Sequence, residues 1–130
     1  MTVQVLYKNN ISQKSLANFV LFVDENFNIN GLKKNISDNE LSYISDLLKT
    51  CDLKKNLLVF EVNSKKKIIL ISIKKNLENT DVENLGAEFY SHIKNAKKDE
   101  FTINTDSIKS KIKDFIGYFL HGLKLKSYEF

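Results

Sequence analysis

The sequence predicts an α/β fold: a three-layer α/β/α sandwich built on a mixed sheet. Apolar stretches of strand length are interspersed with amphipathic helical patterns along the chain. Three of the strands are apolar at almost every position, as strands covered on both faces are, so helices are expected on both sides of the sheet. One pair of strands is separated only by a short polar turn, which predicts an antiparallel hairpin. Helical crossovers make the other pairs parallel.

The composition indicates a single globular domain. The chain has 130 residues, of which 42% are hydrophobic and 28% charged. That balance supports one hydrophobic core, so we expect a single domain spanning residues 1–130. The longest apolar run, Ile68–Ile73, is far shorter than a membrane span, and Met1–Lys8 lacks the apolar core of a signal peptide. The single cysteine excludes an internal disulfide framework and a multi-cysteine metal site. We therefore expect a soluble, intracellular protein with no membrane contact.

Five strands are expected. The first alternates polar and apolar residues, the second is apolar at five consecutive positions, and the third and fourth form the hairpin. The fifth is shorter and carries a weaker pattern. In chain order they are Thr2–Tyr7, Asn18–Asp24, Leu57–Val62, Ile68–Ile73 and Glu100–Asn104, with the hairpin turn at Asn63–Lys66.

Three helices are expected between or after these strands. The first two begin with capping boxes, in which a serine or threonine is followed three residues later by glutamate. Each helix then carries an apolar stripe with helical spacing. The predicted starts are Ser37 with Glu40, Thr80 with Glu83, and Asp106; the stripes are Leu41, Ile44, Leu48 and Cys51, then Val82, Leu85, Phe89, Ile93 and Ala96, then Ile108, Ile112, Phe115 and Phe119.

The residue types that usually carry chemistry are isolated in this sequence. His92 and His121 each stand alone, and packing at the surface or rim is the expected role of both. Cys51 is expected at the C-terminal end of an inner helix face, where cysteine behaves as a small hydrophobe rather than a reactive thiol. The acidic residues lie at helix starts and strand ends, where the helix dipole gives them a structural role. We therefore predict no catalytic, cofactor-binding or metal-ligating residue in this chain.

The basic residues do not indicate a nucleic-acid partner. All 20 are lysine, and the high asparagine and isoleucine content suggests an AT-rich genome rather than selection for a ligand. The net charge of +4 attracts polyanions only weakly, and there is no arginine for bidentate contacts. The lysine clusters fall in turns or at element ends, where solvated charge is the expectation. They are Lys33–Lys34, Lys54–Lys55, Lys65–Lys67, Lys74–Lys75 and Lys97–Lys98.

The last residues, Gly117–Phe130, carry a resemblance to a known family. They are similar to the end of the N-terminal domain in the leucyl aminopeptidase (cytosol aminopeptidase) family, where a helix with a glycine near its end is followed by Leu-x-Ser/Ala-Tyr-x-Phe. The segment Asn84–Ala87 resembles the Ala-Gly pair that opens the preceding helix in that family. The matching residues near the end are Gly122, Leu125, Ser127, Tyr128 and Phe130.

The sequence also departs from the family pattern. Thr50–Lys55 keeps the aspartate of a Gly-Asp-Phe-x-Gly-Lys stretch but loses its glycines, and Ile71–Lys74 replaces a Val-Gly-Leu-Gly strand end. These departures affect turns more than the fold. The chain ends directly after an aromatic segment, and we expect Phe130 to lie at a domain boundary.

The resemblance implies the non-catalytic N-terminal domain of a metal-dependent exopeptidase. The parent would be a cytoplasmic homohexamer with two divalent ions, Zn²⁺ or Mn²⁺, in a separate catalytic domain, removing N-terminal residues from peptides. This domain would serve assembly and access to the active site, and its macro-domain-like fold is a further implication. Two alternatives stay open: a small-molecule module for ADP-ribose-type ligands, which lacks a visible phosphate-binding loop, and a DNA-binding module, which lacks arginine.

Overall fold

The computed structural model describes residues 18–34, 36–63, 66–94 and 101–128. These residues fall into two compact units. The sheet unit comprises residues 18–34, 36–63, 66–74 and 101–109, and the helical unit comprises residues 75–94 and 110–128. In chain order the elements are β1 (Asn18–Asp24), a 3-10 turn (Asn30–Leu32), α1 (Asp38–Leu48), β2 (Leu57–Asn63), β3 (Lys66–Ile73), α2 (Asn79–Ile93), β4 (Phe101–Ile103), a second 3-10 turn (Thr105–Ser107) and α3 (Phe115–Ser127).

The four described strands form one mixed sheet in the order β2-β3-β1-β4. β1 runs parallel to both β3 and β4, while β2 and β3 form an antiparallel hairpin. The predicted α/β class, the mixed sheet and the hairpin are therefore confirmed. The three-layer sandwich and the likeness to a macro domain stay predictions, and the predicted strand Thr2–Tyr7 lies outside the described residues.

The core of the sheet unit lies on the face of the sheet that α1 covers. Alternate residues of β1 point into it because side chains along a strand alternate between its two faces. Ile44 of α1 is fully buried there. The other face of β1 is buried as well, so the uninterrupted apolar run has the two-sided burial that the sequence predicted. The buried core residues are Phe19, Leu21, Val23, Phe27, Ile29, Leu32, Ile36, Ile44, Leu58, Phe60, Ile68 and Leu70.

The start of α1 is the capping box that the sequence predicted. The Ser37 hydroxyl accepts a hydrogen bond from the Glu40 backbone N–H at 3.2 Å, and Glu40 Oε1 accepts one from the Ser37 backbone N–H at 3.0 Å. Two donors that the helix cannot satisfy are thus paired by side chains. α1 ends at Leu48, one turn earlier than the predicted stripe, and Cys51 follows it, half-buried against the core.

Glu40 also neutralises a buried lysine. Lys66 Nζ lies 2.8 Å from Glu40 Oε2 and 5.2 Å from the centre of the Phe19 ring, and the Lys66 side chain is only 7% exposed. The prediction that Lys66 belongs to a solvated turn is therefore wrong, because the hairpin strand β3 already includes it. Burial alone raises the pKa of Glu40, but the hydrogen bonds and charge of Lys66 and the hydrogen bonds to Ser37 outweigh it and hold that pKa below its ordinary value.

The predicted start of α2 is wrong by about two residues. The expected capping box of Thr80 and Glu83 does not form. Instead Asp81 Oδ2 accepts a hydrogen bond from the Glu78 backbone N–H at 2.8 Å, and the helix begins at Asn79. Asp81 therefore takes the capping role predicted for Glu83, because it pairs the backbone N–H at the start of the helix. Glu83 lies inside the helix, and its side chain is available for another contact.

The predicted start of α3 near Asp106 is also wrong. The Ser107 side chain forms two hydrogen bonds with backbone groups. Its hydroxyl donates to the Asn104 carbonyl at 2.7 Å and accepts from the Phe22 N–H of β1 at 2.9 Å. Short polar side chains that bond the backbone in this way compete with helix formation. The chain therefore continues along β1 as a 3-10 turn before it leaves the sheet.

Helix α3 begins nine residues later than predicted, at Phe115. Asp114 immediately before it has a φ of 56°, in the left-handed region that L-residues seldom adopt. Ile108 and Ile112 belong to the predicted helix stripe, but in the structure they are half-buried and lie before the helix. Phe115 and Phe119 are buried as the stripe predicted.

The cap at Ser37 should be measurable as stability. Ser37→Ala removes the acceptor for the Glu40 N–H, and we expect a loss of about 0.5–2 kcal/mol in the free energy of unfolding. Ser42→Ala, at an exposed position inside the same helix, is the control and should change little. Urea unfolding of both variants checks this, and equal midpoints would contradict the assigned helix start.

The Glu40–Lys66 pair should make stability depend on pH. Glu40 has a lower pKa in the folded chain than in the unfolded chain, so its contribution is present above the ordinary carboxyl range and is lost as pH falls through the folded-state pKa. Lys66→Met should cost about 3 kcal/mol at neutral pH, because it leaves a largely buried carboxylate without its cation. It should also flatten the acid-side decline in stability.

The control for this pair is Lys67→Met, which removes the neighbouring, half-buried lysine. Urea unfolding across the acid range is the measurement. An acid-side decline that is the same in wild type and in Lys66→Met would show that Glu40 titrates independently of Lys66.

Candidate functional site

The two histidines have different surroundings in the helical unit. His92 is exposed near the end of α2. His121 lies on α3 and its Nδ1 is paired with Glu83 Oε2 of α2, with the His121 side chain 59% exposed and the Glu83 side chain 25% exposed. No local pattern in the sequence indicates this pair, because its members are 38 residues apart and the predicted role of Glu83 is in a capping box.

Beside that pair, α2 and α3 cross at two glycines. A Cβ placed on Gly86 would overlap the Phe119 carbonyl and come within 3.0 Å of the Leu123 backbone nitrogen. A Cβ placed on Gly122 would overlap the Glu83 carbonyl of the opposite helix. Each glycine thus faces the backbone of the other helix, and the two backbones approach more closely than any larger residue allows.

Aromatic and polar contacts surround this crossing. The Phe89 and Phe119 rings lie 5.7 Å apart between centroids and are tilted by 35°, a favourable arrangement for buried aromatic pairs. Asn79 Nδ2 donates to the Tyr118 hydroxyl at 3.1 Å. The crossing therefore has an apolar centre with hydrogen-bonded groups near its surface. We call these contacts and the two glycines the helix crossing.

The helix crossing brings together the two segments that carry the family resemblance. Gly86 belongs to the first segment and Gly122 to the second, and both are buried. Ser127 is buried too, and its hydroxyl donates to the Lys124 carbonyl at 2.6 Å. Leu125 and Tyr128 are more than half exposed. Phe130, the last matching residue, lies outside the described residues.

Ligands in α/β proteins usually bind at the carboxyl ends of the parallel strands. Here that edge of the sheet unit carries Asp24, Ser72 and Ser107. Asp24 Oδ1 accepts backbone hydrogen bonds from Asn26 and Asn28, both at 3.0 Å. The Ser72 hydroxyl donates to the Asp24 carbonyl at 3.4 Å, and the Ser107 hydroxyl bridges β1 to the turn after β4. These groups hold the loops at this edge, which is a structural role.

A shallow depression in the sheet unit offers little chemistry. It has a volume of about 240 Å³ and lies between the turn after β1 and the outer side of α1. Its polar groups come from two serines, one asparagine and one aspartate. The lining residues are Ile29, Asn30, Leu41, Ser42, Ser45 and Asp46.

The described residues contain neither a cluster of metal-ligand side chains nor a membrane-spanning helix. Within residues 18–34, 36–63, 66–94 and 101–128, no three histidine, cysteine, aspartate or glutamate side chains are grouped as metal ligands. None of the helices in this part of the chain has the length and apolar character that crossing a membrane requires.

A comparison with known protein families, curated proteins and solved structures finds no match for this chain. The pairing of Glu83 with His121 beside the helix crossing could not be predicted from the sequence, because no local spacing links two residues 38 positions apart. Gly86 and Gly122 could be singled out from the sequence, since both lie in the segments that carry the resemblance.

The helix crossing should tolerate no side chain at its glycines. Gly86→Ala and Gly122→Ala each place a methyl group into the opposite backbone, and we expect each to cost about 2 kcal/mol or more. Gly31→Ala is the matched control, because a Cβ there meets no atom within 4 Å. Thermal or urea unfolding of the three variants is the measurement. Loss of stability in Gly31→Ala equal to that in Gly86→Ala would contradict this packing.

Proposed function

We propose that this chain is the non-catalytic N-terminal domain of a leucyl-aminopeptidase-like metallo-exopeptidase. The observation that supports it best is the helix crossing. The two short segments that resemble the family are separated by some 35 residues in sequence, yet their glycines pack against the same helix pair. Both glycines of the resembling segments thus occupy positions at which a Cβ would overlap the opposite backbone, and this supports the proposal.

The proposed role of the domain is assembly and access to an active site rather than catalysis. The contacts around the helix crossing are the kind that fix helix geometry: two buried glycines, a phenylalanine pair and a hydrogen-bonded rim. Chemistry would reside in a separate catalytic domain with two Zn²⁺ or Mn²⁺ ions, which activate water and polarise the scissile carbonyl. The parent enzyme would be a cytoplasmic homohexamer that removes N-terminal residues from peptides.

The alternative of an ADP-ribose-type binding module has less support. Such a ligand would need free backbone N–H donors for its phosphates at the carboxyl edge of the sheet. In this structure the Asn26 and Asn28 N–H groups donate to Asp24, and the Phe22 N–H donates to Ser107. Because these N–H groups are hydrogen-bonded within the protein, they support the shape of the loops and are not available to bind a phosphate.

The proposal predicts that aminopeptidase activity requires coding sequence downstream of codon 130. The 130-residue chain should not hydrolyse leucine p-nitroanilide with Mn²⁺ or Zn²⁺. A protein extended by its downstream coding sequence should hydrolyse it and lose activity in EDTA. That sequence should contain the family's Asn-Thr-Asp-Ala-Glu-Gly-Arg motif.

The structural role can be separated from chemistry in the extended protein. Gly122→Ala should reduce the fraction assembled as hexamer, measured by sedimentation, whereas Gly31→Ala should leave assembly unchanged. Turnover by the 130-residue chain alone would refute the proposal, as would a downstream sequence that lacks the motif.

A further inference from the structure

The turn between β1 and α1 contains the one Asn-Gly pair of this sequence, Asn30–Gly31. Both residues are exposed, and they begin the 3-10 turn Asn30–Leu32. Asparagine is chemically labile, because the backbone nitrogen of the next residue can attack its side-chain carbonyl carbon. Glycine hinders this attack least, since it has no Cβ. The pair therefore combines a reactive amide with an unshielded nucleophile.

The structure leaves room for the attack. A Cβ placed on Gly31 would meet no atom of the described residues within 4 Å. The Asn30 side chain lines the shallow depression beside α1 rather than the core. The turn has only three residues, and short 3-10 turns have poorer hydrogen-bond geometry than α-helices. The backbone at Asn30 and Gly31 can therefore rotate to bring the Gly31 nitrogen towards the Asn30 Cγ.

Three other exposed asparagines lack this combination. Asn28 Oδ1 accepts a hydrogen bond from the Asn30 N–H at 3.0 Å, and the residue after Asn28 is Ile29, which is β-branched and 7% exposed. A β-branched side chain shields the backbone nitrogen beside it. Asn39 and Asn84 lie within α1 and α2, where helical hydrogen bonds fix the backbone. Asn30 should therefore react faster than any of these three.

We propose that Asn30 is a site of spontaneous deamidation in the folded chain. The Gly31 nitrogen attacks the Asn30 Cγ and loses its proton, so a Cγ–N bond forms while the bond from Cγ to the amide nitrogen breaks and ammonia leaves. Water then opens the resulting succinimide ring at either carbonyl, which gives aspartate or isoaspartate. Water is the only co-reactant, and no atom is oxidised or reduced. The inference goes beyond the proposed function and does not depend on it.

The reaction changes both charge and backbone. Either product places a carboxylate at position 30, in the depression that Asp46 also lines, and like charges there repel. Isoaspartate also routes the main chain through the former side chain, which inserts an extra carbon into the turn. The flanking Ile29 and Leu32 are only 7% and 4% exposed, so a longer turn must shift one of these core residues. The isoaspartyl product is therefore less stable than the original chain.

The experiment is mass spectrometry of the 130-residue chain, kept folded at mildly alkaline pH and sampled over time. Fragmentation assigns the modified residue and distinguishes isoaspartate from aspartate. We expect Asn30 to deamidate at least about tenfold faster than Asn28, which precedes a β-branched residue. Gly31→Ala should slow the reaction at Asn30 at least about tenfold, because the added Cβ shields the nitrogen. It should not disturb the fold, because that Cβ has free space.

The consequence for stability is measured on the products. Ion exchange separates the deamidated forms by their added negative charge. The isoaspartyl form should unfold at lower urea concentration than Asn30→Asp, which carries the same charge on an ordinary backbone, and equal midpoints would overturn this consequence.

Three results would overturn the site itself. One is an Asn30 that stays intact in the folded chain but deamidates in the urea-unfolded chain, since the turn would then hold the two groups apart. The others are equal rates at Asn28 and Asn30, and an unchanged rate in Gly31→Ala. Circular dichroism verifies that Gly31→Ala is folded.

Discussion

The sheet unit depends on satisfying the backbone hydrogen bonds of one central strand, β1. β1 lies between β3 and β4 and pairs in parallel with both, so its backbone groups need partners on two sides. β4 has only three residues and is too short to satisfy all of β1. The chain extends the pairing with polar groups: the Asn104 N–H donates to the Val20 carbonyl, and the Ser107 hydroxyl accepts from the Phe22 N–H. The irregular stretch after β4 therefore completes the sheet, and this requirement displaces the start of α3.

A single carboxylate links α1 to the hairpin. Glu40 accepts the Ser37 N–H with one oxygen and the Lys66 ammonium with the other, so the helix cap and the buried cation share one acceptor group. A nearby hydrogen bond from the Lys67 N–H to Asn18 Oδ1, at 2.7 Å, joins the start of β1 to the same end of β3. Polar groups thus fix the register at the amino ends of both strands, while apolar packing fills the space between them.

Helices and strands could be predicted from the sequence where the local pattern permitted a single interpretation. The apolar run of β1 and the Ser37–Glu40 box indicated their structures because local pattern and tertiary environment agreed. Predictions failed where two nearby residues could play the same role. Asp81 and Glu83, for example, are both carboxylates close enough to cap the start of α2. The side-chain pairs Lys66–Glu40 and His121–Glu83 could not be predicted for another reason: the partners are distant in sequence, and no periodicity encodes a tertiary side-chain contact. The glycines of the helix crossing were noticed only through the resemblance, and their mutual packing required the structure.

The parallel pairing of β1 with β4 has a consequence for folding during synthesis. The hydrogen bond between Phe22 and Ser107 spans 85 residues. At a synthesis rate of about 5–20 residues per second, roughly 4–17 s separate the emergence of these two partners from the ribosome. β3 becomes available sooner, so one side of β1 can pair while the other side still exposes its backbone groups. This nascent chain carries an apolar strand with an open edge for seconds, the condition in which chaperone contact or misassociation competes with folding.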